Sequence, residues 1–514
     1  MALSQAMGAL LILTTLFASG IAPSHPSSAS TAGPTLVRQT STQQYVTLLP
    51  KAPGSSPSPW LIYPTGSTIW VAGIATGNPP TSQIREFFIN ETSKSVVSLS
   101  NAIVSSILAD PLNPSTKVWF TENSTLAFFD TSNMTQTSET KAVTFPDQSI
   151  QYLANDAQGR IWMSMVGSSG TSRIAVYDPA THLKQNYTVP TNGAIVQGIS
   201  VNAPGNTIWF AEAGAKKIGR LVPNASSSFT EYSPPSSITL SAPIQVAVDS
   251  SGRVWFSDHG SDQFGVFDPQ TATWKVFPIG YCLDNCVYGL PNAIFIDAKN
   301  TVWFSEHIAG RVGRYDPSTG VLTEYAVPAA PGSSPPLMWW AMPGPNNLVW
   351  FVAWGFGQIG YVNASIPVPF SLSGPSDDVV VQRGSSVKVP VRVSSQGTST
   401  LSFGVSPVTP DQSIQFPAQI YGSPPSNLTL NNNSQTATFS VSSAWNTTLA
   451  PRYVAFTASD GQVAVSVQAR IVVVDASAPF LALGFSAVIV LGGFTFYLRR
   501  PKNPKIQPAK KTRR

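Results

Sequence analysis

Charge is scarce in this sequence. Asp, Glu, Lys and Arg make up 11% of its 514 residues, about half the usual share. There are only four histidines and two cysteines. Helix-favouring runs are few, while Gly (37) and Pro (44) are plentiful. Of the 30 Lys and Arg, eight follow Leu498 in an acid-free tail, leaving 22 against 25 acidic residues in the body. A near-neutral body carries no nucleic-acid footprint. Cys282 and Cys286 stand four apart. They can close one small disulfide loop, and a zinc site would need more ligands than they offer.

What is present is a hydrophobic fraction of 42%, enough for a sizeable core in two or three domains. Short apolar runs punctuated by Gly, Pro, Asn and Asp read as strands joined by tight turns. The expected fold class is all-β.

The two ends predict topology. Residues 1–22 are short and apolar and close on small residues, the pattern of a secretory signal, although no cationic n-region precedes them; an uncleaved anchor is the other reading. Residues 23–42, rich in Ser, Thr and Pro, read as a flexible linker. Residues 476–498 include an uncharged run from Pro479 to Leu498, long enough to cross a membrane as a helix. The basic tail, 499–514, stays on the cytoplasmic side by the positive-inside rule, which puts everything before it outside the cell. Asn-x-Ser/Thr triplets at Asn90, Asn123, Asn133, Asn186, Asn224, Asn363, Asn427, Asn432 and Asn446 all fall in that exterior part.

Between the ends the chain repeats. An aliphatic residue followed by Trp recurs at Trp70, Trp119, Trp162, Trp209, Trp255, Trp303 and Trp350, with steps of 43 to 49 residues. That period is one four-stranded blade, so residues 43–365 are expected to form a seven-bladed β-propeller. The seventh unit lacks its outer strand, and Gln44–Pro50 resembles an outer strand without a unit of its own. Its pairing with unit seven would close the ring and leave no open edge. The tryptophans are expected to pack unit against unit. Residues 366–475 lose the period but keep alternating runs, as in an immunoglobulin-like β-sandwich serving as a stalk.

With strands named A to D outward from the axis, B–C and D–A connections share one face. Asn90, Asn133, Asn224 and Asn363 fall in C–D turns, so glycosylation there would leave the B–C/D–A face for ligands. That face carries Glu122, Glu212, Asp258 and Glu306, each three residues after its tryptophan, and then His259 and His307 at matching positions of neighbouring units. Two imidazoles and several carboxylates suit a divalent cation or a general base; the same pattern suits a polar cap that satisfies loop backbone groups. Tyr281 and Tyr288 flank the cysteines, Trp339 and Trp340 open unit seven, and Trp354 and Phe356 lie in its B–C loop. Trp354, Phe356, Tyr281 and Tyr288 are the candidate ligand contacts for a cyclic, sugar-like or aromatic molecule.

The run Val302–Glu306, then Arg311-Val312-Gly313-Arg314-Tyr315-Asp316-Pro317 and Thr323-Glu324-Tyr325, resembles the repeat of the streptogramin B lyase (virginiamycin B lyase) family. Ile208–Glu212 with Lys217–Arg220 is similar. The resemblance implies a propeller and, for the family's lyases, opening of a cyclic depsipeptide by elimination. A histidine base removes the proton alpha to the ester carbonyl and magnesium held by carboxylates stabilises the charge. It makes His307 the candidate base, His259 a substrate contact and Glu306 a candidate metal ligand, with Asp258 the equivalent carboxylate of the preceding unit. In the family's lyases one residue separates the metal-binding Glu from the His; here Glu306 and His307 are adjacent, so a regular strand directs them to opposite faces. Two functions follow: a membrane-anchored surface propeller that binds a glycan, peptide or protein, or a magnesium-dependent lyase of the streptogramin B type. No constellation of a calcium-dependent lactonase is found.

Overall fold

A computed structural model describes residues 44–475, apart from 51–57, 76–79, 89–92, 133–138, 203–206, 224–227, 280–288, 330–335 and 408–419. The signal, linker, membrane segment and tail read from the sequence lie outside the described residues. So do Tyr281, Cys282, Cys286, Tyr288, Asn90, Asn133 and Asn224. Among the described residues helix is confined to the short turns Pro345–Asn347 and Trp354–Phe356, and no helix is long and apolar enough to cross a membrane.

Strands dominate, grouped as a β-propeller of consecutive four-stranded antiparallel sheets. Unit six is representative: strand A, Pro291–Ile296, pairs with B, Val302–Glu306, which pairs with C, Arg311–Asp316, which pairs with D, Val321–Ala326. The A strands neighbour one another in a closed cycle, and the cycle ends where it began. The expected closing strand is present: Val46–Leu48 pairs antiparallel with Gln358–Asn363, setting Val46 opposite Val362 and Leu48 opposite Gly360. This supplies unit seven with its fourth strand and covers the edge that Gln358–Asn363 would otherwise leave open.

Turn chemistry fixes each unit. Asp316, Asp268, Asp178 and Asp130 open C–D turns by accepting the backbone N–H two residues on. A second series opens A–B turns and also grips the repeat tryptophan. The indole N–H of Trp162 reaches Asp156 at 2.8 Å, that of Trp255 reaches Asp249 at 3.0 Å, and that of Trp303 reaches Asp297 at 3.0 Å. In unit two Asp110 takes the N–H of Trp119 at 2.8 Å. Each of these four tryptophans therefore buries its ring while its one polar atom stays satisfied. The repeated Gly of strand C has a packing cause: a Cβ on Gly313 would come within 2.3 Å of the Phe304 ring lying across it.

Residues 366–475 form two sheets that pack on each other. One orders Phe370–Ser373, Ser386–Ser395, Ser434–Ser443 and Ile420–Ser423. The other contains Val379–Gln382, Val463–Val474, Arg452–Ser459, Thr398–Pro407 and Leu428–Asn431. Phe439 fills the space between them against Phe403 and Phe456.

The two parts share a sheet. The long strand Val463–Val474 pairs antiparallel with strand D of unit six, Val463 opposite Tyr325 and Val467 opposite Val321. Further along the same edge it pairs in parallel with Val379–Gln382. The neighbouring hairpin reaches the ring closure itself, where Gln462 accepts the Gln44 N–H at 2.9 Å. Phe277 of unit five meets Tyr453 edge-on, and one apolar cluster runs from Tyr325 and Phe351 into Val465 and Phe456.

Asp297→Ala, which strands the buried indole N–H of Trp303, should cost about 1–3 kcal/mol of unfolding free energy in urea melts. Asp268→Ala, in an exposed turn, should cost less than about 1 kcal/mol; equal losses would contradict the structural role of the Asp–Trp bond.

Candidate functional site

The B–C/D–A face is assembled by one backbone device repeated around the axis. In most units the A–B pairing carries a bulge near that face, between Pro59 and Leu61, Pro243 and Gln245, Pro291 and Ile294, and Met338 and Trp340. A bulge inserts one residue and re-aims it. In units one and seven the inserted residues are Trp60 and Trp339. Their rings stack at 4.3 Å, and Trp354 meets Trp60 edge-on at 5.5 Å. The strand-B hydroxyl bridges to the next unit: Ser305 bonds the Trp339 carbonyl at 3.3 Å, and Asn292 donates to the same oxygen at 2.6 Å. Trp339 is thus held at both backbone and ring.

His259 and His307 join this group. Each follows the last residue of its strand B and extends the ladder by one bond, His259 N–H to Ala242 and His307 N–H to Leu290. Their rings stack at 5.5 Å, and the edge of Trp339 faces His307 at 5.0 Å. Both side chains are buried. Burial pushes the His259 imidazole down to about 4, against a smaller upward pull from the Pro291 and Leu290 carbonyls. Burial and the neighbouring His259 push His307 down to about 3. Two neutral imidazoles therefore sit side by side in an aromatic wall.

The carboxylates go elsewhere. Glu306 lies across the strand from His307, opposite Arg311 in the ladder. Burial and the nearby Glu324 raise it well above the usual carboxylate range, with Arg311 opposing. Arg311 also approaches Glu324 at 3.8 Å. Asp258 accepts from Ser241, Ala242, Ser261 and Gln263. Glu122 pairs with Lys141 at 3.2 Å. Glu212 sits opposite Lys217, and burial with Glu231 nearby pushes it up to about 7. Burial also pushes Asp262 up to about 6, against the pull of the Leu290 and Gly289 N–H groups.

These donors do not fit the magnesium that the resemblance implies. Asp258 has its oxygens engaged by four donors, and Glu306 faces Arg311 and Glu324 instead of His307. Among the described residues no three His, Cys, Asp or Glu side chains are grouped to hold a metal ion.

Sequence reasoning named His259, His307, Trp354 and Phe356, and the structure sets the two histidines against Trp339 and Trp354 against Trp60. Phe356 is half-buried against the cluster that spans units six and seven. Sequence reasoning missed Trp60. Its only signal was a tryptophan ten residues ahead of the repeat Trp70, as Trp340 is ten ahead of Trp350. Trp340 itself points down the axis, meeting Tyr152 of unit three and Phe295 of unit six. Units three and seven are not neighbours, so this contact fills the centre of the ring below the site.

A β-propeller with a neutral His–Trp cluster at the axial end of its strands is the class defined here. The chain belongs to the virginiamycin B lyase family, whose model matches residues 111–375, just over half of it. Among solved structures it is similar to selenomethionine virginiamycin B lyase from Staphylococcus aureus, with 18% identity over 62% of this chain and 98% of that one and a TM-score of 0.50. A catalytically inactive His-to-Ala variant of that lyase with quinupristin gives 19% identity, the same coverage and a TM-score of 0.50. A streptogramin B lyase gives 19%, 62%, 97% and 0.50. At such identity the likeness speaks for the fold. No curated protein sequence matches this one.

The lowered imidazole values set a pH dependence. Between about 6.5 and 4 the unfolded chain binds more protons than the folded one, so the pair's contribution is complete above pH 6.5 and lost as pH falls towards 4. The raised carboxylates act with opposite sign and are common to wild type and variant. His259→Asn/His307→Asn should therefore flatten the acid-side fall of unfolding free energy, measured by urea melts from pH 4.5 to 7; an unchanged slope would contradict the assignment.

Proposed function

We propose that this chain is a seven-bladed propeller carried outside the cell on an immunoglobulin-like sandwich and a single membrane span, and that it binds an extracellular glycan, peptide or protein on its B–C/D–A face. The observation that carries the reading is the stack of Trp60 on Trp339 beside two neutral imidazoles. Trp339 and both imidazoles are buried, so the half-buried Trp60 and Trp354 at the rim of this cluster offer the ring contact that suits the flat face of a sugar or an aromatic side chain. The seven four-stranded units and their closing strand support the blade count. The span and orientation rest on the uncharged run 479–498 and its basic flank.

Binding is favoured over metal-assisted elimination because the carboxylates nearest the histidines in sequence are engaged with other partners. Lyase activity is the second reading. Family membership favours it, as does the meeting of two histidines from neighbouring units, with His307 as base and His259 as substrate contact.

Full-length protein should bind members of a glycan and peptide array, with Trp60→Ala reducing binding at least tenfold. It should open the ring of a streptogramin B no faster with magnesium than with EDTA. Magnesium-dependent ring opening that His307→Ala abolishes would replace the binding reading with the lyase.

A further inference from the structure

The sandwich carries an unusual concentration of exposed apolar side chains at one end. Among the described residues the large hydrophobics with substantial exposure include Val380 (53%), Tyr421 (46%), Trp445 (80%), Leu449 (49%) and Val474 (36%). Register brings them to one end of the sandwich, on the outer faces of its two sheets. Val380 and Val474 lie on paired strands two residues apart in the ladder, and Gln382 sits opposite Val474. Tyr421 pairs with Ser442, at the end of the strand that leads into Trp445. Arg452, after Leu449, lies opposite Ile471.

Trp445 is not a loose side chain. A turn with Thr447 N–H bonded to the Ala444 carbonyl holds the loop, and Thr447 is buried. The indole lies so close over Gly384 that a Cβ there would come within 2.4 Å of the ring. Two arginines lie at this end: Arg452, which donates to Thr448 at 2.9 Å, and Arg383, which pairs with Asp475 at 3.1 Å.

This is also the end from which the chain continues. Asp475 to Ala478 are four residues, and the uncharged run begins at Pro479. Four residues reach at most about 14 Å, and the headgroup layer is roughly 5–7 Å deep. We propose that this end of the sandwich rests on the outer leaflet, with Trp445 and Leu449 in the headgroup layer and Arg383 and Arg452 against lipid phosphates. Tryptophan is the side chain suited to that boundary, apolar in its ring and polar at its N–H. The inference rests on the membrane-span reading above.

It orients the propeller. Along the shared sheet the chain runs from Val463, opposite Tyr325, to Val467, opposite Val321. Tyr325 is near the D–A end of unit six and Val321 follows its C–D turn, so the histidine face looks away from the bilayer. From Val467 to Val474 is seven residues of strand, which holds the rim of unit six roughly 23 Å above the leaflet.

The test uses the full chain in phosphatidylcholine vesicles with and without brominated acyl chains, reading tryptophan emission. The run 479–498 holds no tryptophan, so bromine-dependent quenching should be present in wild type and lost in Trp445→Phe. Equal quenching in both proteins, in vesicles that retain the chain through alkaline carbonate, overturns the headgroup contact alone. Release of the chain by carbonate overturns the membrane span and this contact together. A glycan on Asn446, beside Trp445, also overturns the contact.

Discussion

Ring closure is the constraint on which the site depends. The ladder between Val46–Leu48 and Gln358–Asn363 joins the first part of the propeller to the last. Trp60 belongs to unit one and Trp339 to unit seven, so their 4.3 Å stack exists only across that junction. The histidines come from units five and six and meet the same Trp339. Four units therefore contribute to one cluster, and a ring open at the seam would leave His259 and His307 without the second half of their wall. The sandwich reinforces the seam from outside, through Gln462 on Gln44 and the strand laid along unit six.

Much of this was legible in the sequence because it follows from periodicity. The tryptophan spacing gave the unit length, the orphan strand around Tyr45–Leu49 gave the closure, and alternation along a strand separated Glu306 from His307. Trp60 was hidden because a bulge breaks the parity on which alternation depends, so its direction cannot be counted from Trp70. The fate of the carboxylates was hidden for another reason. Position three after the tryptophan places them near the mouth, but neighbours on the next strand, such as Arg311 beside Glu306 and Gln263 on Asp258, turn them into the sheet. The shared sheet between Val321–Ala326 and Val463–Val474 joins segments with no common repeat, and nothing in either strand's composition marks it as the partner of the other.

Family membership and site chemistry therefore bear on different questions. The repeat that defines the virginiamycin B lyase family specifies turns, blade packing and the Phe–Gly contact of strands B and C. It does so irrespective of what the axial face binds. The cluster at the axis of this chain is built of aromatic rings and two buried imidazoles, while Asp258 and Glu306 are turned towards other partners.

The most direct measurement is a cysteine cross-link at the seam. Val46 and Val362 are opposed across the closing ladder, and side chains so opposed in a sheet lie about 5 Å apart. In full-length Val46→Cys/Val362→Cys, peptide mapping after oxidation should recover the two segments joined by a disulfide. Recovery of both thiols unlinked would mean that the ring does not close through this strand, and the Trp60–Trp339 wall would fall with it.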